Sequence, residues 1–486
     1  MLFKNITCPA CGAACDDIQV ECRNGRIEAE NICKVGNSRL KVITNPHRLR
    51  QPLIKNRGKL KSVDWEEALE KAADILVSAK RPLIFMGSDT SCETHEIGLM
   101  IGEYLGAVVD SNTTIGNGPA AMGTQESGKT GATEGQKKNR SDLIVYWGTN
   151  PLESMPRQMS RYGIFPRGYW TGGGRFDRTI ITVDPRKTLT SKISDLHVQL
   201  KPNSDYEMIS ALLTLLHGKN PHPSVEEITG VPISLMKQML HMMKNCNFGS
   251  ISAGVGLSSS IGKHRNTEIA MNLVKELNSY TRFTFGILRS NCNVAGFNQV
   301  ASYMYGYPFG LDFMRGYPRY NPGEFTTVDL LREKDIDAAF VICTDLLNQI
   351  PADCAAYLAE IPLICLDIAP CPTMVVSDVV LPGVIDAMEC EGTLYRLDDV
   401  ALYFEPFVNP PFEFTKSNED TLKQIFIKIR NKRDQANFLP SKNKEEKEEK
   451  EEVKEEVKEE EKEEEKEKLI PENFPWIPLT VMFEQT

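Results

Sequence analysis

The sequence has no run of about 18 apolar residues, so an ordinary membrane-spanning helix is not expected. Its opening, MLFKNITCPACG, lacks the basic and apolar blocks of a secretory leader, and no twin arginine precedes the first cysteines. A cytoplasmic location is therefore expected. Basic patches with interleaved aromatics are missing too, so nucleic acid is not an expected partner. The acidic excess is mostly local: of a net charge of −10, residues 444–468 carry 15 Glu against 8 Lys. The rest of the chain is nearly balanced.

Cysteine is not scarce. The chain has 13, which in a cytoplasmic protein are expected to be thiols or metal ligands rather than disulfides. Cys92, Cys246, Cys292, Cys343, Cys354, Cys365, Cys371 and Cys390 are scattered. Several lie in apolar strings such as FVICTD and LICLD, where buried structural thiols are expected.

Four of the first five cysteines are patterned. Cys8-x2-Cys11-x3-Cys15 sets three thiolates on one loop, and the small Gly12, Ala13 and Ala14 let the backbone wrap closely around an inorganic core. Two strands read at 18–22 and 26–30, joined through Asn24-Gly25, a strong two-residue hairpin signal. That hairpin returns Cys33 toward Cys15. Four thiolates suit a cubane [4Fe–4S] cluster. Zinc is the rival occupant, but the x3 spacing and the distant fourth cysteine favour the cluster. Cys22 shares a strand face with Ile18 and Val20, so core packing explains it. Lys34, directly after the fourth ligand, puts a cation beside an anionic cluster.

With 486 residues the chain has room for two or three domains. Residues 1–52 form the small cysteine unit. From about 53 to 408, helical patterns (65–79, 95–105) alternate with apolar strands (82–86, 143–147, 179–183, 338–343, 363–366). The expected fold class is α/β, built on doubly wound parallel sheets. Four strands end in Gly87-Ser88, Gly148-Thr149-Asn150, Asp184-Pro185 and Thr344-Asp345, at the edge where open α/β sheets bind ligands. Residues 409–441 read as an extension. The 442–468 stretch reads as a Glu/Lys spacer with no apolar face, and 469–486 as an apolar, proline-rich tail.

A cluster motif of this spacing ahead of an α/β body resembles the molybdopterin oxidoreductases. KKNRSDLIVYWGTNPLESMPRQMSRY (137–162), LRSNCNVAGFNQV (288–300), GYPFGLDFMRGYPRYNPGE (306–324) and LPGVIDAMECEGTLYRLDD (381–399) narrow the resemblance to the B chains of the formylmethanofuran dehydrogenases. It covers about residues 3–410; the charged tail departs from it. The resemblance implies two pterin-binding α/β domains, 53–135 with 325–408 and 136–324. It also implies a tungsten or molybdenum ion held by two molybdopterin guanine dinucleotides. The implied activity is reversible reduction of CO2 to formate for N-formylation of methanofuran in methanogenesis, with electrons arriving through the cluster. The implied partners are the other formylmethanofuran dehydrogenase chains: the amidohydrolase-like A component, the C component, the dinucleotide-binding D component and ferredoxin-type subunits.

On this sequence the resemblance places a catalytic arginine at Arg289, whose guanidinium is a fixed fork for a carboxylate. Gly148, Asn150 and Asp184, with Asp345, would contact the dinucleotides through backbone amides and a carboxylate. Lys34 becomes the electron relay between cluster and pterin. The family's Cys-His-Gly-Pro, whose cysteine ligates the metal, reads Gly116-Asn117-Gly118-Pro119 here, so no protein ligand to the metal is expected. An alternative follows from that loss: a non-catalytic scaffold or electron-relay subunit of a formyltransferase/hydrolase-like complex.

Overall fold

The computed structural model describes residues 1–23 and 26–438. The Asn24-Gly25 turn, the 442–468 spacer and the 469–486 tail lie outside the described residues. Residues Met1–Ile429 form one compact unit.

The amino-terminal strands Leu2–Ile6, Ile18–Arg23 and Arg26–Glu30 make an antiparallel sheet in chain order. Val20 lies opposite Ala29 and Arg23 opposite Arg26. Ile18 and Val20 are buried and Cys22 packs beside them, as period-2 alternation requires.

Behind this unit stand two larger sheets. A five-stranded parallel sheet runs in the order Leu196–Val198, Thr179–Val183, Leu143–Trp147, Phe248–Ala253, Arg282–Ile287. The other has nine strands. Its parallel centre is Val108–Ser111, Pro82–Met86, Ala338–Ile342, Leu363–Asp367 and Val379–Pro382. Antiparallel pairs flank it: Leu311–Asp312 with Arg319–Tyr320 on one side, Leu53–Asn56 with Lys59–Ser62 on the other. Residues of Pro82–Met86, Leu143–Trp147 and Ala338–Ile342 are all buried, which is why these strands read as unbroken apolar runs.

Helices cover the sheets where the sequence signals them. Trp65–Ser78 starts at Asp64, whose side chain accepts from the Glu67 N–H, and buries Ala68, Leu69, Ala72, Ala73 and Leu76 on one face. Cys92–Leu105 starts at Ser91 and ends at Gly106, whose left-handed φ of 71° closes the helix. The chain leaves the nine-stranded sheet after Ser111, builds the five-stranded sheet, and returns at Leu311. The two crossings, 112–142 and 288–310, carry Gly116 and Arg289. Among the described residues, no helix is long and apolar enough to cross a membrane.

Candidate active site

The cysteine loop is knotted by its own backbone. The Cys8 N–H donates to the Cys15 carbonyl at 2.8 Å and the Ala14 N–H to the Cys11 carbonyl at 3.0 Å. Cys33 precedes the Lys34–Leu40 helix and comes in from the other side. Gly36 of that helix faces Cys8: a β-carbon there would lie 2.9 Å from the Cys8 Sγ. Cys8, Cys11 and Cys15 are buried and Cys33 is half-buried. All six pairs among the four thiols feel one another electrostatically. Burial, reinforced by these neighbours, pushes Cys8 and Cys11 up to about 12. Cys15 is also raised by burial, against the opposing pull of Arg157 and Arg161. Cys8, Cys11 and Cys15 are therefore held as neutral, buried thiols until a metal displaces their protons.

Sulfur spacing limits what that cage holds. Among the described residues, one His/Cys/Asp/Glu group of three or more has its ligand atoms all within 4.8 Å of one another, and it is not this one. A tetrahedral zinc ion, about 2.3 Å from each sulfur, needs sulfurs roughly 3.8 Å apart. The four amino-terminal sulfurs are spread more widely than that.

The cysteine loop rests on the loop that carries Arg289. A β-carbon at Gly12 would sit 2.5 Å from the Arg289 carbonyl oxygen, and the Gly12 carbonyl accepts from the Leu397 N–H at 2.8 Å. Arg289 is buried, with Nη1 3.4 Å from Asp399 Oδ1 and Nε without a partner. Asp399 also takes Lys129 Nζ at 2.6 Å and adopts a left-handed φ of 63°. Arg289 and Lys129 hold its carboxyl below the usual range despite burial. Three residues on, Cys292 is buried near Cys8, Cys11 and Asp89. The Asn293 N–H donates to the Ser88 carbonyl at 2.7 Å, tying this loop to the edge of the nine-stranded sheet.

Gly148 and Asp184 meet in one cleft at the carboxyl edge of the five-stranded sheet. It encloses about 310 Å³ and is also lined by Lys201, Gly256 and Ser260. Gly148 has φ 57°, and a β-carbon there would lie 2.6 Å from the Leu257 nitrogen, so only glycine lets the two turns approach. Asn150 stands outside that lining; its Oδ1 accepts from Thr190 N and Oγ1 at 3.2 and 2.7 Å. Asp345 is at the edge of the other sheet, where its Oδ1 accepts from Thr373 N and Oγ1 at 3.1 and 2.7 Å.

Lys34 is exposed. The cation that reaches inward from the same helix is Arg39, which pairs with Asp89 at 3.5 Å and feels Asp367, Cys292 and Cys343. Sequence reading missed Arg39, Asp89 and Asp399. Nothing in their local pattern distinguishes them. At Gly116 the backbone is ordinary (φ −117°) and a β-carbon would meet nothing nearer than the Asn112 carbonyl oxygen, at 3.8 Å. Neither Gly116 nor Asn117 offers a thiolate or an imidazole.

Comparison with known proteins fits this architecture. The family model for the molybdopterin oxidoreductases matches residues 48–420. The B chain of the tungsten-containing formylmethanofuran dehydrogenase 2 of Methanococcus maripaludis is 38% identical over 431 residues, covering 88% of this chain and 99% of the relative. The protein of the same name from Methanocaldococcus jannaschii is 39% identical over 432 residues, with the same coverage. A chain in the crystal structure of the formyltransferase/hydrolase complex from Methylorubrum extorquens with methylofuran shares the fold. Its TM-score is 0.63 at 17% identity, over 78% of this chain and 99% of that one. Match length and identity together place the chain among the molybdopterin oxidoreductases, as a member of the formylmethanofuran dehydrogenase B chains.

Proposed function

We propose that this chain reduces CO2 to formate, reversibly, within a formylmethanofuran dehydrogenase complex. Cys8, Cys11, Cys15 and Cys33 would hold a [4Fe–4S] cluster that passes electrons inward. The observation that carries the reading is the close approach of the Cys8–Cys15 loop, at Gly12, to the backbone of Arg289. Four thiols gathered by one loop and one helix start are the donor set a cubane cluster needs.

The pterin-held tungsten or molybdenum would supply the two-electron chemistry, CO2 + 2e⁻ + H⁺ giving formate. The chain's own residues do the rest. Arg289 offers its guanidinium to the two oxygens of CO2 or formate. Its Nε has no protein partner, and Asp399, braced by Lys129, fixes the fork. The Gly148–Asp184 cleft fits a nucleotide end: backbone turns for phosphate, a buried carboxylate for guanine or ribose donors. Asn150 and Asp345 would support the dinucleotides from beside these turns. Lys34 and the inward-facing Arg39 are the cations available to an electron path from the cage. The donor set at Gly116 adds no protein ligand, and the open space there leaves room for a small exchangeable one. The amidohydrolase-like A component, the C and D components and ferredoxin-type subunits would complete the complex.

Anaerobic metal analysis of the native complex tests this. The expected result is about one tungsten or molybdenum and at least four iron atoms per copy of this chain, the ferredoxin-type subunits adding iron of their own. Arg289→Ala should cut formate formation by at least 100-fold and leave the cluster's EPR signal unchanged; unchanged turnover removes its role. The bare Gly116-Asn117 pair favours a second reading, a scaffold without CO2 chemistry, and iron with neither heavier metal would select it.

A further inference from the structure

We propose that Arg157 and Arg161, carried between two strands of the five-stranded sheet, clamp the cysteine motif shut and raise the reduction potential of the cluster it would hold. The inference rests on the [4Fe–4S] reading of Cys8, Cys11, Cys15 and Cys33. The two arginines lie one turn apart, Arg157 at the start of the Gln158–Tyr162 π-helix and Arg161 within it. Such wide turns often mark functional sites. The Gly163 and Ile164 N–H groups donate five residues back, to the Gln158 and Met159 carbonyls, at 2.7 and 3.0 Å. Met159 packs in the buried cluster that holds Cys8, Cys11 and Cys15. Asp16 and Asp17 follow Cys15 directly. Arg157 grips Asp17 with both terminal nitrogens, Nη1 to Oδ1 and Nη2 to Oδ2, each at 2.6 Å. Its Nη1 also donates to the Asn31 carbonyl, two residues before Cys33. Asn31, at a left-handed φ of 58°, sends Nδ2 to the Asp17 carbonyl at 3.3 Å. One guanidinium therefore joins the arm that brings Cys15 to the arm that brings Cys33.

Charge gives the second role. Arg161 Nη2 is 2.5 Å from Asp16 Oδ1, and its Nη1 is 3.4 Å from Asp17 Oδ1. That Nη1 is buried and makes no hydrogen bond, which leaves a spare N–H donor beside the cysteine loop. Two arginines face two aspartates, yet their fields do not cancel at the sulfur. Each guanidinium acts on the Cys15 thiol more strongly than Asp17 does, and in the opposite sense. A cluster on four thiolates is an anion, and reduction adds one more negative charge. A net positive field therefore favours the reduced form; local charge and hydrogen bonds to sulfur set such potentials. Exposed ion pairs count for little. These arginine side chains are only 16% and 20% exposed, so water screens them incompletely.

The full-length chain, produced apart from the ferredoxin-type components and kept without oxygen, tests both roles by iron analysis and an EPR-monitored redox titration. Arg161→Met should keep its iron and move the midpoint negative by at least about 59 mV, a tenfold change in a one-electron equilibrium. Arg161→Lys keeps the charge and should recover at least half of that shift. Asp17→Asn removes an opposing charge and should move the midpoint of its remaining cluster positive, a sign that loss of fold does not produce. Arg157→Lys keeps the charge but loses the two-pronged grip. Its iron per chain should fall by half or more, with far-ultraviolet circular dichroism unchanged to separate that loss from unfolding. Coincident midpoints in the parent, Arg161→Met and Asp17→Asn overturn the electrostatic role. Full iron in Arg157→Lys overturns the clamp. A parent chain that holds zinc, or no metal, overturns the cluster reading itself and this inference with it.

Discussion

At Gly12 the backbones of two loops meet with no space for a methyl group between them, 2.5 Å being well inside van der Waals contact. Gly12→Ala should therefore push the cysteine loop off the Arg289 loop. Iron per chain after anaerobic purification should fall by half or more. Gly116→Cys makes the opposite case: no positive φ and no near neighbour, so iron content should be unchanged and Tm should stay within about 2 °C. A third residue sets a pH dependence. His95 is fully buried, with Nδ1 unpartnered and Nε2 3.1 Å from the Gly87 carbonyl, and burial lowers it from 6.5 to about 4. Above pH 6.5 the imidazole is neutral folded or unfolded. As pH falls from 6.5 toward 4, only the unfolded chain takes up the proton, so His95's contribution to stability is lost across that window. His95→Gln should flatten the fall in Tm between those pH values. A slope identical to the parent's counts against the assignment.

Among the elements, a buried ion pair ties the amino-terminal unit to the loop that follows the Val379–Pro382 strand. Arg48, shortly after the Lys34–Leu40 helix, reaches Glu389 with two bonds of 2.7 and 2.9 Å, both side chains 1% exposed. Glu389 also takes the Ile385 N–H at 2.8 Å. Removing one partner strands a buried charge, so Glu389→Ala should cost about 3–5 kcal/mol. Arg48→Met with Glu389→Leu should recover most of that, as read by denaturant unfolding. The apolar strand Pro82–Met86 and the helix from Trp65 were legible in sequence; the Cys92–Leu105 helix was read only from residue 95, and the buried strand Phe248–Ala253, interrupted by Gly249 and two serines, was not read. The two-residue strands Leu311–Asp312 and Arg319–Tyr320 were not. Such short flanks have no period; Leu311–Asp312 is defined by pairing with Val108–Val109, and Arg319–Tyr320 by pairing with Leu311–Asp312. The candidate site divides in the same way. Cysteine spacing announces the cage, and the turns at Gly148 and Asp184 announce the cleft. Arg289 and Asp399 stand 110 residues apart, and only the folded chain joins them.

For the whole molecule, the cysteine unit and both sheets share packing. Cys8, Cys11, Cys15, Ile18 and Val20 belong to one buried cluster with Ile144, Tyr146, Leu288, Ile368 and Met388. The body should therefore melt cooperatively. Anaerobic calorimetry should show a single transition with bleaching of the cluster's visible absorbance inside it. Bleaching well below the transition would mean the amino-terminal unit opens alone. The route of the chain adds one more consequence. Both passages from sheet to sheet carry a residue of the proposed chemistry, Gly116 on the first and Arg289 on the second. The two layers are thus jointed at the place where substrate would sit. Under the proposed function, a ligand spanning the two layers would set the distance between those residues.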